Sequence, residues 1–496
     1  MLMALAGAWF GFANPILHLP PAILLLPAAL ILTAGRATGP GQAFRTGMLN
    51  SLPAYAASLY WLAVPVHDYG GLPWIVALPC PVLVGGVLAA YAGLFCLGLY
   101  LIRLRLSHPL AGPLAGLLWA SLELARNHFL TGFSWLTLSQ SLSPWPWALG
   151  LAAWIGAFGL SGALVAMTHF LVRGPGWTRL AALPLAGLCL LPGLLRGPVT
   201  SESTVSVSMI QGNIDQGLKW DEAMQAAILK TYVDLSTTAV RQTGPDLVVW
   251  PETAMPFYFQ DPSDLSRTVR QTARDMGTPL LAGAPAYSVP PDPGGPEYAL
   301  HNRAYLLDGA GQAMGWYDKE HLVPFGEYVP LSRWLPFMTK LVPGEYEFRP
   351  GVTTTTLKTG PLSMGLLICY EAIFPELAQK QVALGANVLV NISNDAWFGR
   401  TSAPWQHLHL SVLRAVEQNR TIIRATNTGI SVFIGPDGSL SNPSPLFTPG
   451  IVHNDAVPLL TETTFYHEHF HLIHAAFPLL SLALLAFLTR NRRVKP

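Results

Sequence analysis

"MGLLICYE" (364–371) is a short apolar run that ends on a thiol and a carboxylate. It is too short for an ordinary helix and too continuous for a strand with one face in water. Runs of this kind are what strands buried on both faces look like. Others flank it: "STVSVSMIQGNI" (203–214), "DLVVWPE" (246–252), "PLLAGAP" (279–285), "NRAYLLD" (302–308) and "ANVLVNISND" (386–395). Helical spacing fills 221–242 and 264–276, and the turn residues of "SVPPDPGGPE" (288–297) predict a loop. Short buried strands alternating with helices predict a layered α/β domain. A span of about 270 residues is long enough to bury one such core.

Upstream of that region the chain changes character. Charged residues make up 11% of all 496 residues, against roughly 25% in a typical soluble protein. Residues 1–200 hold eight arginines, no lysine and two acids, Asp68 and Glu123. That half reads as solvated by lipid and the rest by water. Apolar stretches near 2–17, 19–35, 44–65, 73–102, 109–130, 145–172, 178–195 and 470–489 predict about eight spans, the first two as a tight pair. The first is not a cleaved signal peptide, because it lacks a basic start and more spans follow. The expected divisions are a transmembrane bundle over 1–196, a soluble domain over 197–468, and a final span with a basic tail over 469–496.

Arginine placement orients the chain. With a cytoplasmic N-terminus, the inside loops and tail carry Arg36, Arg45, Arg103, Arg105, Arg173, Arg179, Arg490, Arg492, Arg493 and Lys495, whereas the outside loops before the α/β domain carry only Arg126 and Arg196. Both termini are then cytoplasmic and the α/β domain is outside. The net charge of +1 argues against a nucleic-acid partner.

Three of the four cysteines, Cys80, Cys96 and Cys189, lie in apolar runs, which excludes a disulfide framework. Cys369 alone stands in the polar half. Strand ends carry Glu252, Cys369 with Glu371, and Asn394 with Asp395, and ligands collect at strand ends in α/β sheets. Glu252 could take the thiol proton, Lys319 could hold an oxyanion, and the N–H of Tyr370 could be a second oxyanion donor. The product would be an acyl-thioester. Spacing alone leaves the plainer readings open: a buried small cysteine, a solvated strand end, a surface lysine. No metal site is expected. His407 and His409 stand two apart on a helix, and His467, His469 and His471 suit an interfacial belt. Glu123 and Arg126, three apart near the outer end of a span, either pair with each other or hold a lipid headgroup. Trp397 and Phe398 either pack in a core or face acyl chains and the membrane surface.

The words "QGNIDQGLKW" (211–220), "WPETAMP" (250–256), "HLVPFGEYVP" (321–330), "LLICYE" (366–371), "ISNDAWFG" (392–399), "PWQH" (404–407) and "RATNTGIS" (424–431) resemble the nitrilase, or carbon–nitrogen hydrolase, superfamily. Seven spans ahead of such a domain, "LTGFSWL" (130–136) and one span after it look like the apolipoprotein N-acyltransferase family. The resemblance implies a four-layer αββα nitrilase-like sandwich outside the inner membrane of a bacterium. Glu252, Lys319 and Cys369 would be its triad. Glu327 would support Lys319, Tyr370 and Glu371 would shape the nucleophile's surroundings, and Trp220 and Asn302 would lie around the site. No cofactor is implied. The expected reaction takes an acyl chain from a phospholipid, such as phosphatidylethanolamine, onto Cys369. It then passes the chain to the α-amino group of a lipoprotein's diacylglyceryl-cysteine, with the enzyme acting as a monomer. Two other readings share some features. A tethered amidase or nitrilase would use water as acceptor. A transporter or receptor would need charged or broken helices at the midplane, which the few charges in 1–200 do not supply.

Overall fold

A computed structural model describes residues 1–12, 14, 17–197, 201, 203–289, 298–330 and 348–490. Most of the expected loop at 288–297 and the basic tail beyond Arg490 lie outside the described residues.

The α/β domain holds two six-stranded sheets. In chain order the first five strands are β1 (Thr204–Gln211), β2 (Leu247–Val249), β3 (Leu280–Ser288), β4 (Ala299–Leu307) and β5 (Ala313–Asp318). The others are β6 (Leu357–Thr359), β7 (Leu362–Ile368), β8 (Val388–Ser393), β9 (Ile422–Thr426), β10 (Val432–Ile434), β11 (Leu440–Ser441) and β12 (Gly450–Pro458). One sheet runs β12-β1-β2-β3-β4-β5 and the other β11-β10-β9-β8-β7-β6. Parallel pairs occupy the centres of both sheets, β1-β2-β3 and β7-β8-β9, and antiparallel pairs close their edges. The reading of "MGLLICYE" as a buried strand therefore holds, with β7 between β8 and the short edge strand β6.

Period-two alternation makes the sandwich. Met364, Leu366 and Ile368 of β7 share one core with Val207 and Met209 of β1 and Leu281 of β3, so that core lies between the sheets. The outer face of the first sheet, with Val248, Trp250 and Ala282, is covered by helices Gln225–Thr243 and Asp264–Met276. Helices Pro375–Ala383 and Ala403–Gln418 cover the second sheet. The four layers are helix, sheet, sheet, helix.

Helix Ala403–Gln418 is buried along its whole length except at Trp405, so it has no solvent face. Its far side packs on the apolar helices. Gln406 is the hub: its Oε1 accepts from Trp61 Nε1 at 3.0 Å and Trp135 Nε1 at 2.7 Å, and its Nε2 donates to the carbonyls of Phe12 at 3.0 Å and Ser58 at 3.1 Å. One side chain thus ties three apolar segments to the domain. Farther along, Glu417 Oε1 accepts from Ala157 N at 2.7 Å, and Ser143 Oγ donates to His409 O at 2.8 Å.

Four helices among the described residues are long and apolar enough to cross a membrane: Trp74–Leu101, Ala152–Arg173, Gly176–Leu194 and Phe470–Arg490. The expected stretch 44–65 is interrupted. Its helix, Pro40–Ser58, contains Pro53 and gives way to the short turns Tyr60–Leu62 and Pro65–Tyr69. The stretch expected from 145 becomes a regular helix only at Ala152, after 3-10 turns at Leu138–Leu142 and Pro146–Ala148. Gly156 kinks that helix with φ +71, at the point where the Tyr466 ring would collide with a Cβ.

Candidate active site

Each proposed reactive side chain lies just past the end of a strand: Glu252 and Cys369 after buried strands, Lys319 after the exposed edge strand β5. β7 ends at Ile368, and Cys369 opens a tight turn with φ +53. A non-glycine residue is rarely held in this left-handed region, and such strain gathers at functional sites. The surroundings fix it. Asn391 Nδ2 donates to Leu367 O at 2.8 Å and to Cys369 O at 3.4 Å. His407 Nε2 lies 3.1 Å from Cys369 O, and its Nδ1 lies 2.9 Å from Asp395 Oδ1. Arg424 closes the group with a 2.9 Å ion pair to Asp395 Oδ2. Burial works against a charged Asp395, but the Arg424 guanidinium and His407 hold its carboxyl down at about 2.

Glu371 locks the turn. Its fully buried carboxylate accepts from Ile368 N at 2.6 Å, Glu320 N at 2.7 Å, His321 N at 3.0 Å and Tyr317 Oη at 2.9 Å. The strand that ends at Cys369 is thereby joined to the segment that follows Lys319. Burial pushes Glu371 up to about 7, against the pull of those backbone donors. Any orientation of an amide here would turn an NH2 toward a backbone donor, so Glu371→Gln is expected to lower stability by about 3 kcal/mol. It should also misplace Cys369. Thermal melting and the rate of Cys369 acylation check both effects, and a variant with wild-type melting would remove Glu371 from this role.

Lys319 continues the β4–β5 ladder, its N–H donating to Asn302 O at 2.9 Å. Its ammonium, 1% exposed, lies 2.9 Å from Glu327 and 3.8 Å from Glu252. Burial opposes the charge, but the Glu327 and Glu252 carboxylates outweigh it, so Lys319 stays protonated. Asn302 Nδ2 donates to Glu252 Oε1 at 2.7 Å and Glu327 Oε1 at 2.9 Å, bridging the two carboxylates. The fields of Glu252 and Lys319 both reach Cys369. Burial, reinforced by the Glu252 charge, pushes the Cys369 thiol up. The resting group is therefore a thiol, and a thiolate must be made by proton transfer during attack.

The structure thus brings Glu252, Lys319, Cys369, Glu327, Asn302 and Glu371 together. Tyr370 points toward the apolar helices, its hydroxyl donating to Gly132 O at 3.1 Å. Gly132 (φ +77) belongs to the loop after helix Ala111–His128, and a Cβ there would collide with Asn127 O. Trp220, next in sequence to the buried Lys219, is 47% exposed. Trp397 packs edge-on to Tyr69 with centroids 4.8 Å apart, and Phe398 on Trp61 at 4.9 Å, so both rings sit at the junction with the apolar helices. Glu123 and Arg126 form no ion pair among the described residues. Glu123 accepts from Trp119 Nε1 at 2.8 Å and Leu138 N at 3.0 Å, while Arg126 keeps Nε and one Nη buried without partners. His409 stacks on His18 at 5.3 Å, and His467 Nδ1 lies 2.6 Å from Gln418 Oε1.

Two residues of the site carry little signal in the sequence. His407 reads there only as a possible metal ligand, although it closes the word "PWQH". Lys219, inside "QGNIDQGLKW", is fully buried with its Nζ 3.2 Å from Glu252 O.

Comparison with known proteins decides the family. Residues 206–458 match the carbon-nitrogen hydrolase model, and residues 6–170 match the apolipoprotein N-acyltransferase N-terminal domain. An apolipoprotein N-acyltransferase of Geobacter metallireducens is 36% identical over 95% of this chain and 91% of its own. One from Pseudomonas syringae pv. tomato is 33% identical over 94% of this chain and 91% of its own. The chain belongs to the apolipoprotein N-acyltransferase family. It is a membrane-associated acyltransferase with a nitrilase-like domain. Among solved structures, an amidase from Nesterenkonia sp. is 23% identical, with a TM-score of 0.41, over 57% of this chain and 99% of that one.

Proposed function

We propose that this enzyme moves an acyl chain from a phospholipid to the N-terminal amine of a diacylglyceryl-cysteine lipoprotein by way of a thioester on Cys369. The observation that carries this reading is the set of charges around a strained cysteine: a carboxylate and an ammonium whose fields both reach the sulfur. As Cys369 Sγ attacks the ester carbonyl, its proton passes to Glu252. The Lys319 ammonium and the N–H of Tyr370 stabilise the oxyanion. The ester C–O bond breaks, Glu252 returns the proton to the leaving glycerol oxygen, and a lysophospholipid departs. The lipoprotein amine then attacks the thioester, Glu252 takes the amine's proton, and the expelled sulfur regains it. Phosphatidylethanolamine suits the donor role, and one chain is a complete catalytic unit in this scheme.

The apolar helices give both lipid substrates a lateral route to the site. Arg126, with two buried unpartnered nitrogens, and Glu123 are candidates for holding a headgroup. Trp220, exposed beside the site's loop, is a candidate for substrate contact. Phospholipid vesicles and a diacylglyceryl-cysteine peptide test the reading by mass spectrometry. N-acylated peptide and lysophospholipid should appear in equal amounts. Free fatty acid without amide would make the enzyme a hydrolase.

About eight segments cross or enter the membrane in this proposal, with residues 1–196 as bundle, 197–468 as the outside domain and 469–496 as the last span and tail. The split of basic residues supports cytoplasmic termini and a periplasmic face of the inner membrane for the domain. Single cysteines introduced between 210 and 460 should react with a membrane-impermeant maleimide in intact spheroplasts, and cysteines near the termini should not. Protection of the domain would overturn the orientation.

A further inference from the structure

Lys219 is a buried charge beside the site that the reaction scheme leaves unused. It is 0% exposed, and among the described residues its ammonium has one hydrogen-bond partner, the main-chain carbonyl of Glu252 at 3.2 Å. Burying an ammonium costs several kcal/mol unless something nearby requires the charge. A methionine would fill the same space without that cost. The location is also specific. The segment after β1 is clamped to the ends of the second sheet: Ile214 N donates to Asn427 Oδ1 at 2.9 Å, and Asn394 Nδ2 donates to Gln216 Oε1 at 2.6 Å. Its far end reaches Glu252, where the chain turns through Thr253 at φ +51 and presses against Gly283, which has no room for a Cβ. Lys219 therefore spans from one sheet's strand ends to the main chain of the base.

Charge counting gives the reason. Asp395 is paired with Arg424 and burial pushes Glu371 up to about 7, so without Lys219 the carboxylates beside Lys319 are Glu252 and Glu327 against that one cation. One net negative charge would oppose creating an anionic sulfur there. A second buried cation cancels it.

We propose that Lys219 is a positioning residue for the Glu252 base, holding its main chain in register and supplying the second positive charge that lets the Cys369 sulfur become anionic. This rests on the thioester reading above. Lys219 hydrogen-bonds the Glu252 main chain and no reacting side chain among the described residues, so it acts through that contact and through its charge. Glu252 and Cys369 are the titratable groups whose charges reach it. Burial lowers Lys219 to about 8, against the pull of those two groups, so it loses its proton within a range the enzyme can be assayed in.

The experiment uses the full-length enzyme and follows Cys369 acylation by intact mass between pH 6.5 and 9.5. The donors are phospholipid vesicles and, separately, p-nitrophenyl butyrate. Wild-type acylation should fall above about pH 8. Lys219→Met should acylate about 10- to 100-fold more slowly at pH 7 with little change in donor KM, and its rate should lack the fall above pH 8. Lys219→Arg keeps the charge, so most of the rate should return and the alkaline fall should vanish. Lys219→Met at the wild-type rate, or either variant with the wild-type alkaline fall, overturns the proposal. If Lys219→Met does not fold, the Lys219→Arg profile alone decides. Failure of the phospholipid arm in wild type, with the butyrate arm intact, would count against the lipid donor and leave Lys219 to be judged on the butyrate profile.

Discussion

Enzyme incubated with phospholipid and no acceptor amine gains the mass of one acyl chain, hydroxylamine removes it, and Cys369→Ser gains nothing. The expectation follows from the resting state of the thiol. Burial holds Cys369 protonated, so the enzyme stores no thiolate, and in the proposed scheme Glu252 accepts the proton as the sulfur attacks. A serine hydroxyl is far less acidic than a thiol and would ask more of the same base. Glu252→Gln removes the base and should slow acylation by roughly 100- to 10,000-fold. Once formed, the thioester should persist, because Cys369 is only 8% exposed and its surroundings leave water little access. A diacylglyceryl-cysteine peptide with a free amine should discharge it to an amide, and the same peptide with a blocked amine should not. N-acylated product without any adduct would end the two-step mechanism.

The strands that position this site were legible because they are buried on both faces. "DLVVWPE", "MGLLICYE" and "ANVLVNISND" need no alternation to interpret, and each ends in the polar group that the structure places in or beside the site. Helix Asp264–Met276 follows its predicted bounds, with Ser263 as a side-chain cap and Gly277 left-handed at its end. Less was legible where one element serves two layers. Helix Ala403–Gln418 carries Gln406 toward the apolar helices and His407 toward the Cys369 carbonyl. Periodicity reports which face is apolar, and this helix has no wet face to mark. Lys219 escaped for a related reason: a single lysine in a polar loop reads as a surface charge, and only the folded clamp to Asn394 and Asn427 buries it. The apolar stretches around residues 60 and 145 were read as continuous spans because hydropathy ignores backbone breaks at proline- and glycine-rich turns.

Lys319→Arg should fold and should lose about 100- to 1,000-fold in the acylation rate, the usual cost of a lost oxyanion donor. The two cations are not equivalent at this position. Lys319 delivers a compact ammonium, 2.9 Å from Glu327 and 3.8 Å from Glu252, in a space that leaves it 1% exposed. An arginine is longer, planar and inclined to fork onto one carboxylate, so it would satisfy Glu327 while withdrawing its charge from the sulfur's side. Lys319→Met poses a different problem. It leaves Glu252 and Glu327 facing the same Asn302 amide, at 2.7 and 2.9 Å, without the Lys319 ammonium that they share. Breaking a buried ion pair from one side costs about 3–5 kcal/mol. Adding Glu327→Gln removes the surplus charge and should restore most of the melting temperature. It should not restore acylation, because the oxyanion still has no ammonium. The double variant therefore separates what Lys319 does for the fold from what it does for the reaction: stability recovered with activity still absent supports the oxyanion role, and activity recovered along with stability would reduce Lys319 to a counter-ion.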